Sequence, residues 1–243
     1  MPNPSAAMLV IGDEILSGRT RDANMHHLAG ELARHGIDLV EVRIISDRHA
    51  AIVAGVNDLR AGHDHLFTSG GIGPTHDDIT ADAIAAAFGV AIDIRADARA
   101  LLTAHYARSG LELNPARLRM ARIPGDAVLI DNPISSAPGF SLGNVHVMAG
   151  VPNIFAAMVA GLLPRLTGGT PQLSQTLRIL RGEGDIAGPL AELAADYAAL
   201  SIGSYPFVKD GAYGANIVIR GHDKALVDQA MTRLARLFPD GSL

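Results

Sequence analysis

The sequence predicts an α/β protein: a doubly wound, mostly parallel sheet followed by a small α+β domain. Three observations predict it. Short apolar runs alternate with helix-spaced segments over the first 90 residues, and a β-α-β-α-β-α order needs crossover helices and hence parallel strands. A Gly/Thr/Pro cluster, "TGGTPQ" at Thr167–Gln172, interrupts the chain late, as a linker does. Beyond it the pattern becomes β-α-β-β-α. With 243 residues the chain suits a main domain and a smaller one, with boundaries at residues 1–167 and 173–243.

Each element has its own justification. "AAMLVIGDE" is an apolar run ending at Gly12, a buried strand opening into a loop. In "DANMHHLAGELARHGI", Ala23, His27, Leu28, Leu32 and His35 recur at helical spacing, and Gly36 is a natural stop. "DLVEVRIIS" is the second strand. Asp47 after it can cap the helix in "RHAAIVAGVNDLR". "HDHLFTS" is the third strand, and "TADAIAAAFGV" a helix with Thr80 as its expected cap. "DARALLTAHYARSG" and "PARLRMARI" read as helices. "AVLIDNP", "APGFSL" and "VHVMAG" read as short strands, with a hairpin across Gly143-Asn144. "NIFAAMVAGLLPRL" is a helix. After the linker, "SQTLRILRG", "IAGPLAELAADYAAL", "SIGSYP", "GANIVIRG" and "DKALVDQAMTRLARLF" supply the β-α-β-β-α order. By topology that domain resembles a KH-type fold.

Composition removes several function classes. A hydrophobic share of 48% and a mean hydropathy of +0.22 support a large core and exclude a disordered chain. A net charge of −5 and few aromatics disfavour nucleic acid as a partner. Lysine occurs only at 209 and 224, so a bound phosphate must rely on arginine, backbone amides, helix N-termini or a metal. The absence of cysteine rules out disulfides and thiolate ligands. No apolar stretch nears the roughly 20 residues of a membrane helix, and the N-terminus has no signal-peptide pattern. The expectation is a soluble, cytoplasmic protein with no membrane partner.

The chemistry concentrates in "TSGGIGPTHDDIT", Thr68–Thr80. Glycines behind a buried strand let several N–H groups point into one concavity that attracts an anion. Asp77 and Asp78 could cap the next helix, or hold a divalent cation that bridges to phosphate oxygens. In a sheet of order 2-1-3, the loops after the first and third strands flank the switch-point crevice where ligands bind. The first of these loops carries Asp13 and Glu14, and the loop after the second strand carries Asp47. Such crowded carboxylates would repel an anionic ligand. Either a hard cation such as Mg²⁺ resolves the conflict, or one carboxylate has a raised pKa and acts as an acid or base.

"GGIGPTHDDIT" resembles the signature of the MoaB/Mog molybdopterin-binding fold. "IGDEILSG", Asn24 in "RDANMHHLA", "ISDRHAAI", "NPISSAPGF", "AGVPNIFAAM" and "SIGSYP" extend the resemblance to the N-terminal part of the competence/damage-inducible protein family CinA. It covers nearly the whole chain. The C-terminal amidase domain of many CinA proteins is absent from the sequence, so its deamidase activity is not expected. The resemblance implies a small phosphorylated nucleotide or pterin as ligand and a homodimer. Mog-type members handle molybdopterin, and CinA-type members resemble metal-dependent pyrophosphatases of ADP-ribose-like nucleotides. A related domain stands beside FAD synthase.

Carried onto this chain, the likeness makes Asp78 and Asp47 candidate catalytic residues, and Asp78 and Asp13 candidate ligands of Mg²⁺ or a similar metal. It implies a ligand surface at Gly12, Asp13, Glu14 and Asn24. The signature adds Ser69, Gly70, Gly71, Gly73, Pro74, Thr75, Asp77 and Thr80. The later turns add Asn132, Ser136, Pro138, Gly139, Gly150 and Pro152. The chain departs from the family pattern at Ala149, where proline is usual, and at Ser135-Ser136, where Gly-Thr is common. The expected reaction is metal-assisted attack of water on a nucleotide pyrophosphate. Molybdopterin handling, or ligand binding without catalysis, are the alternatives.

The other polar residues have plainer readings. No His-x-x-x-His spacing falls on a predicted helix, so a histidine metal site is not expected. His76 inside the glycine loop reads as solvent-facing, with contact to a phosphate as the alternative. Arg178, Arg181 and Arg220 read as a solvated face of the small domain.

Overall fold

The structure, a computed structural model, describes residues 2–209 and 211–242. Two compact units emerge, residues 1–169 and 170–243.

In the first unit the leading strands and helices fall where the apolar runs place them: β1 (Ser5–Ile11), a short turn of helix α1 (Asp13–Leu16), α2 (Asn24–His35), β2 (Asp38–Ile45), α3 (His49–Gly62), β3 (His65–Ser69) and α4 (Thr80–Phe88). Then come β4 (Ile92–Ile94), α5 (Ala96–Ser109), α6 (Pro115–Leu118), β5 (Arg122–Pro124), β6 (Val128–Ile130), β7 (Gly139–Leu142), β8 (Val145–Met148) and α7 (Pro152–Leu162). The main sheet runs β2-β1-β3-β8-β7-β6, with its first four strands parallel, β7 antiparallel to β8 and β6 antiparallel to β7. The predicted 2-1-3 order and the doubly wound class therefore hold. β1 shows why: Ala7, Leu9 and Ile11 enter one apolar cluster with α3 and α4, while Ala6, Met8 and Val10 enter another with α2 and α7. A continuous apolar run is what a strand buried on both faces requires.

Turn chemistry agrees at two predicted points. Gly36 ends α2 in the left-handed region, at φ 72°. Gly143 takes φ 55° in the two-residue turn joining β7 to β8, the positive value that a Gly-first hairpin turn needs.

Three local expectations are corrected. Asp47 does not cap α3: that helix starts after Arg48 without a side-chain cap, and Asp47 accepts instead from the Asp13 N–H. Thr80 does not cap α4: it is the first helical residue, and its hydroxyl is buried with no hydrogen-bond partner. "PARLRMARI" is not one helix. After α6 and one 3-10 turn at Arg119–Ala121, the chain straightens into β5, which pairs antiparallel with β4. Arg95 N–H donates to Ala121 O beside that ribbon, a long-range bond no local pattern announces.

The second unit contains β9 (Leu173–Ile179), α8 (Glu183–Asp196), β10 (Ser201–Lys209), β11 (Ala212–Gly221) and α9 (Lys224–Leu237). Its antiparallel sheet has the order β10-β11-β9. α8 and α9 cover one face through Ile186, Leu193, Val227 and Leu234, which pack with Leu177, Ile217 and Ile219. Asp223 caps α9, accepting from the N–H groups of Ala225 and Leu226.

Candidate functional site

A cavity of about 530 Å³ opens where β1, β3 and β8 end, a size within the roughly 300–1,000 Å³ of small-molecule sites. Ile11, Glu14 and Asp47 line it from the first two strand ends, and Gly70–Pro74, Asp77 and Asp78 from the third. Met120, Asn132, Ser135, Ala137, Ala149, Gly150, Val151 and Ile154 complete the wall. This is the carboxyl-end crevice of a doubly wound sheet, where ligands settle.

The glycine corner is built by close packing. Gly70 sits at φ 107°, and a Cβ there would stand 2.3 Å from Ile11 O. Gly71 sits at φ 69°, and its Cβ would stand 2.1 Å from the Thr80 hydroxyl. A Cβ at Gly73 would meet Asp78 Oδ2 at 2.6 Å. So these glycines are required first by the protein's own approach to itself. What that approach produces is a half-buried turn at the cavity wall. Gly70 N–H is spent on Met148 O at 3.2 Å. Among the described residues the N–H groups of Gly71, Ile72 and Gly73 have no protein acceptor. Gly70 therefore belongs to the crevice wall without offering its amide.

Asp78 closes this turn. Its Oδ2 accepts from Thr75 N–H at 2.8 Å and from the Thr75 hydroxyl at 2.6 Å. Two donors fix the carboxylate against the loop rather than at the start of α4. Across the crevice, Asp47 Oδ2 accepts from Asp13 N–H at 2.9 Å. Asp13 thus supplies backbone, and Glu14 is the member of that pair whose residue lines the cavity. Gly12, whose N–H donates to Ile45 O, precedes α1 and ties the first loop to the second strand.

Asn24 is buried at the start of α2 and bolts the floor together. Its amide donates to the Ser69 hydroxyl at 2.6 Å and to Gly150 O at 2.7 Å, while its own carbonyl oxygen is buried without a partner. Asn132 does the same for the far wall. Its amide donates to the Ser135 hydroxyl and Ala137 O, and its oxygen accepts from Ile134 and Ser135 N–H. The turn it holds carries Ser136 at φ 58°, the one non-glycine residue with positive φ among those described. Gly139 opens β7, where a Cβ would meet Val147 O at 2.2 Å. Pro152 starts α7, whose N-terminal turn lines the cavity through Ile154.

Of the expected ligand surface, then, Glu14, Asp47, Gly70, Gly71, Gly73, Pro74, Asp77, Asp78, Asn132 and Gly150 line the crevice. Gly12, Asp13, Asn24, Ser69, Thr75, Thr80, Ser136, Gly139 and Pro152 do not line it. Pro138 lines a small adjoining pocket with Gly71, Gly73, Asp78 and Arg119. Arg119 escaped the sequence reading. Its guanidinium donates to Asp78 O at 3.4 Å, and with Arg122 it lines the small pocket that adjoins the carboxylate-rich crevice. Its position 41 residues beyond Asp78 left no local signal.

The crevice lining holds four carboxylates, Glu14, Asp47, Asp77 and Asp78, and no lysine or arginine. Among the described residues no three His, Cys, Asp or Glu side chains are grouped as a self-sufficient metal site requires. That donor set still fits Mg²⁺, which is characteristically held by one or two carboxylates together with substrate phosphates and water.

A second polar cluster lies at the opposite end of the sheet. His146 on β8 is 4% exposed and bridges His65 at 3.2 Å and the Ser141 hydroxyl at 2.9 Å. Burial, then the neighbouring His65 and Arg165, hold its imidazole down to about 3, and burial also lowers His65. At neutral pH the His146 ring is uncharged.

Comparison with known proteins supplies the context. Residues 7–168 match the family described as probable molybdopterin binding domain, and residues 171–243 match the FAD synthase middle domain. A CinA-like protein of Geobacter metallireducens is 36% identical over 63% of this chain and 38% of its own length. A probable FAD synthase of Caenorhabditis elegans is 30% identical over 96% of this chain and 50% of its own length. The chain therefore spans half or less of these two relatives. The crystal structure of CinA from Thermoplasma acidophilum, at 30% identity, superposes with a TM-score of 0.61 over 67% of this chain and 97% of that one.

Proposed function

We propose, because the chain belongs to the family of probable molybdopterin binding domains and within it to the CinA-like proteins, that its crevice binds and hydrolyses a nucleotide pyrophosphate of the ADP-ribose or FAD kind. The observation that carries this reading is the pairing, in one cavity, of the acceptor-less Gly71–Gly73 amides with the anchored carboxylates Asp78 and Asp47. The domain order adds support. The FAD synthase middle domain follows the first domain here, and the nematode relative, named for FAD synthesis, aligns with nearly the whole chain.

The chain's own groups divide the work. The Gly71, Ile72 and Gly73 amides take phosphate oxygens and favour the charge that builds on them during attack. Asp47, held by Asp13, or Asp78, held by Thr75, orients water and accepts its proton. Water oxygen bonds to one phosphorus, the bridging P–O bond breaks, and two monophosphates leave. Asp78, with Asp47 or Glu14 opposite, is the residue that would hold a divalent cation. When bound, such a cation lowers the pKa of attached water and offsets the carboxylate charge that otherwise repels phosphate. Arg119, in the adjoining pocket, is assigned to neutralise the second phosphate.

The test is release of AMP from ADP-ribose and from FAD, with Mg²⁺ or with chelator, by the wild type and Asp78→Asn. Mg²⁺-dependent AMP release that Asp78→Asn cuts at least about 100-fold is expected. Failure of the wild type to cleave either compound with any divalent metal overturns the hydrolytic reading. Copurified pterin fluorescence would favour molybdopterin handling, and a ligand-induced rise in Tm without turnover a binding module.

A further inference from the structure

We propose that the helix-free face of the second unit's sheet binds a nucleoside monophosphate, with its base stacked on Tyr205 and its phosphate on the arginines that bracket that ring. The pairing register defines the face. Tyr205 stands opposite Asn216, and Asn216 opposite Arg178. Phe207 stands opposite Gly214, Gly203 opposite Val218, and Ser201 opposite Arg220. Opposed residues project to the same side of a sheet, and alternate residues of a strand return to it. On the other side Leu177, Ile179, Ile217 and Ile219 pack with α8 and α9, so the unit's helices leave the first side open. Ser174, Thr176 and Ser201 on it are exposed, and Tyr205 is 45% exposed.

Two glycines seat two rings there. A Cβ at Gly203 would stand 3.2 Å from Cε2 of Tyr205, and one at Gly214 would stand 2.4 Å from Cζ of Phe207. Each ring therefore lies down over a glycine of the sheet, as a strand glycine permits. Arg178 covers the Phe207 ring at 4.1 Å. Arg220 donates to the Tyr205 hydroxyl at 2.9 Å and keeps its guanidinium 5.4 Å from the ring centre. These contacts hold both guanidiniums in place and leave the outer face of Tyr205 to a ligand. The stretch "SIGSYP", which has no part in the crevice, thus supplies both the ring and its seat.

Charge selects the occupant. No aspartate or glutamate holds a position on this face. Neither guanidinium is ion-paired among the described residues. Two such cations match the charge of about −2 on one phosphomonoester. A polynucleotide needs a longer basic track, and residues 170–243 carry seven basic against eight acidic side chains. This assignment does not rest on the reading of the crevice.

The chain has no tryptophan, so Tyr205→Trp in the full chain puts a sole indole on the platform. AMP, titrated with chelator present, should quench it to saturation. Adenosine should bind about tenfold more weakly, and so should AMP once Arg178→Gln and Arg220→Gln are added. Asp78→Asn should leave the titration unchanged, which separates this surface from the crevice. In calorimetry of the chain without the tryptophan, Tyr205→Ala should lose metal-independent AMP binding while circular dichroism and Tm stay as in the wild type. An indole that AMP does not quench, quenching that survives loss of both arginines or disappears with Asp78→Asn, or a short oligoadenylate that binds more than about tenfold tighter than AMP, overturns the proposal.

Discussion

His146 gives the protein an acid sensitivity whose size follows from its burial. In the unfolded chain the imidazole titrates near 6.5, and in the folded chain it is held down to about 3. Between those values the unfolded state binds a proton that the folded state refuses, so stability falls as pH falls. At pH 5.0 the difference costs about 2 kcal/mol, against almost nothing at pH 7.5, and it approaches about 5 kcal/mol below pH 3. His65, lowered by the same burial, acts in the same direction. A cost of about 2 kcal/mol corresponds to a Tm drop on the order of 4–8 °C for a unit of this size. Calorimetry at the two pH values reads it directly. His146→Gln can keep hydrogen bonds to His65 and Ser141 but does not titrate. It should lose most of the drop, though not all of it, because His65 and the carboxylates still titrate. If the variant loses stability between pH 7.5 and 5.0 as steeply as the wild type, the assignment of the acid sensitivity to His146 is wrong.

Two further outcomes follow from the crevice. Gly71→Ala meets a left-handed backbone and a hydroxyl 2.1 Å from the new Cβ, so a loss of about 2–4 kcal/mol in denaturant unfolding is expected. Thr80→Ala removes that partnerless hydroxyl, should itself be near neutral, and should recover part of the loss in the double variant. Arg119→Ala should raise the KM for ADP-ribose roughly tenfold, about 1.4 kcal/mol of binding, with kcat little changed. Its Tm should match the wild type, because the side chain is exposed.

Much of this architecture was legible from residue order because it is local. β1, β2 and β3 announce themselves as apolar runs, and Gly36 and Gly143 stand where the backbone needs positive φ. The glycine corner could be located, but its cause could not. Gly71 is explained by Thr80 and Gly70 by Ile11, contacts that exist only once the sheet has closed. Asp47 shows the same limit. Next to a helix it reads as a cap, yet its partner is the Asp13 amide, 34 residues away. The β4–β5 ribbon and Arg119 were invisible for the same reason: short strands and rim cations acquire meaning from partners distant in the chain.

The double allegiance of β1 sets how this gene can vary. Its residues alternate between two cores, so each position answers to a different set of helices. Inserting or deleting one residue there would not shift a surface by a notch; it would exchange the contents of both cores at once. In a deep mutational scan, single-residue indels across Ser5–Ile11 should be depleted more strongly than any substitution in the same window. Along this strand only swaps of similar volume should be tolerated, and length changes should be accepted only in the loops around it.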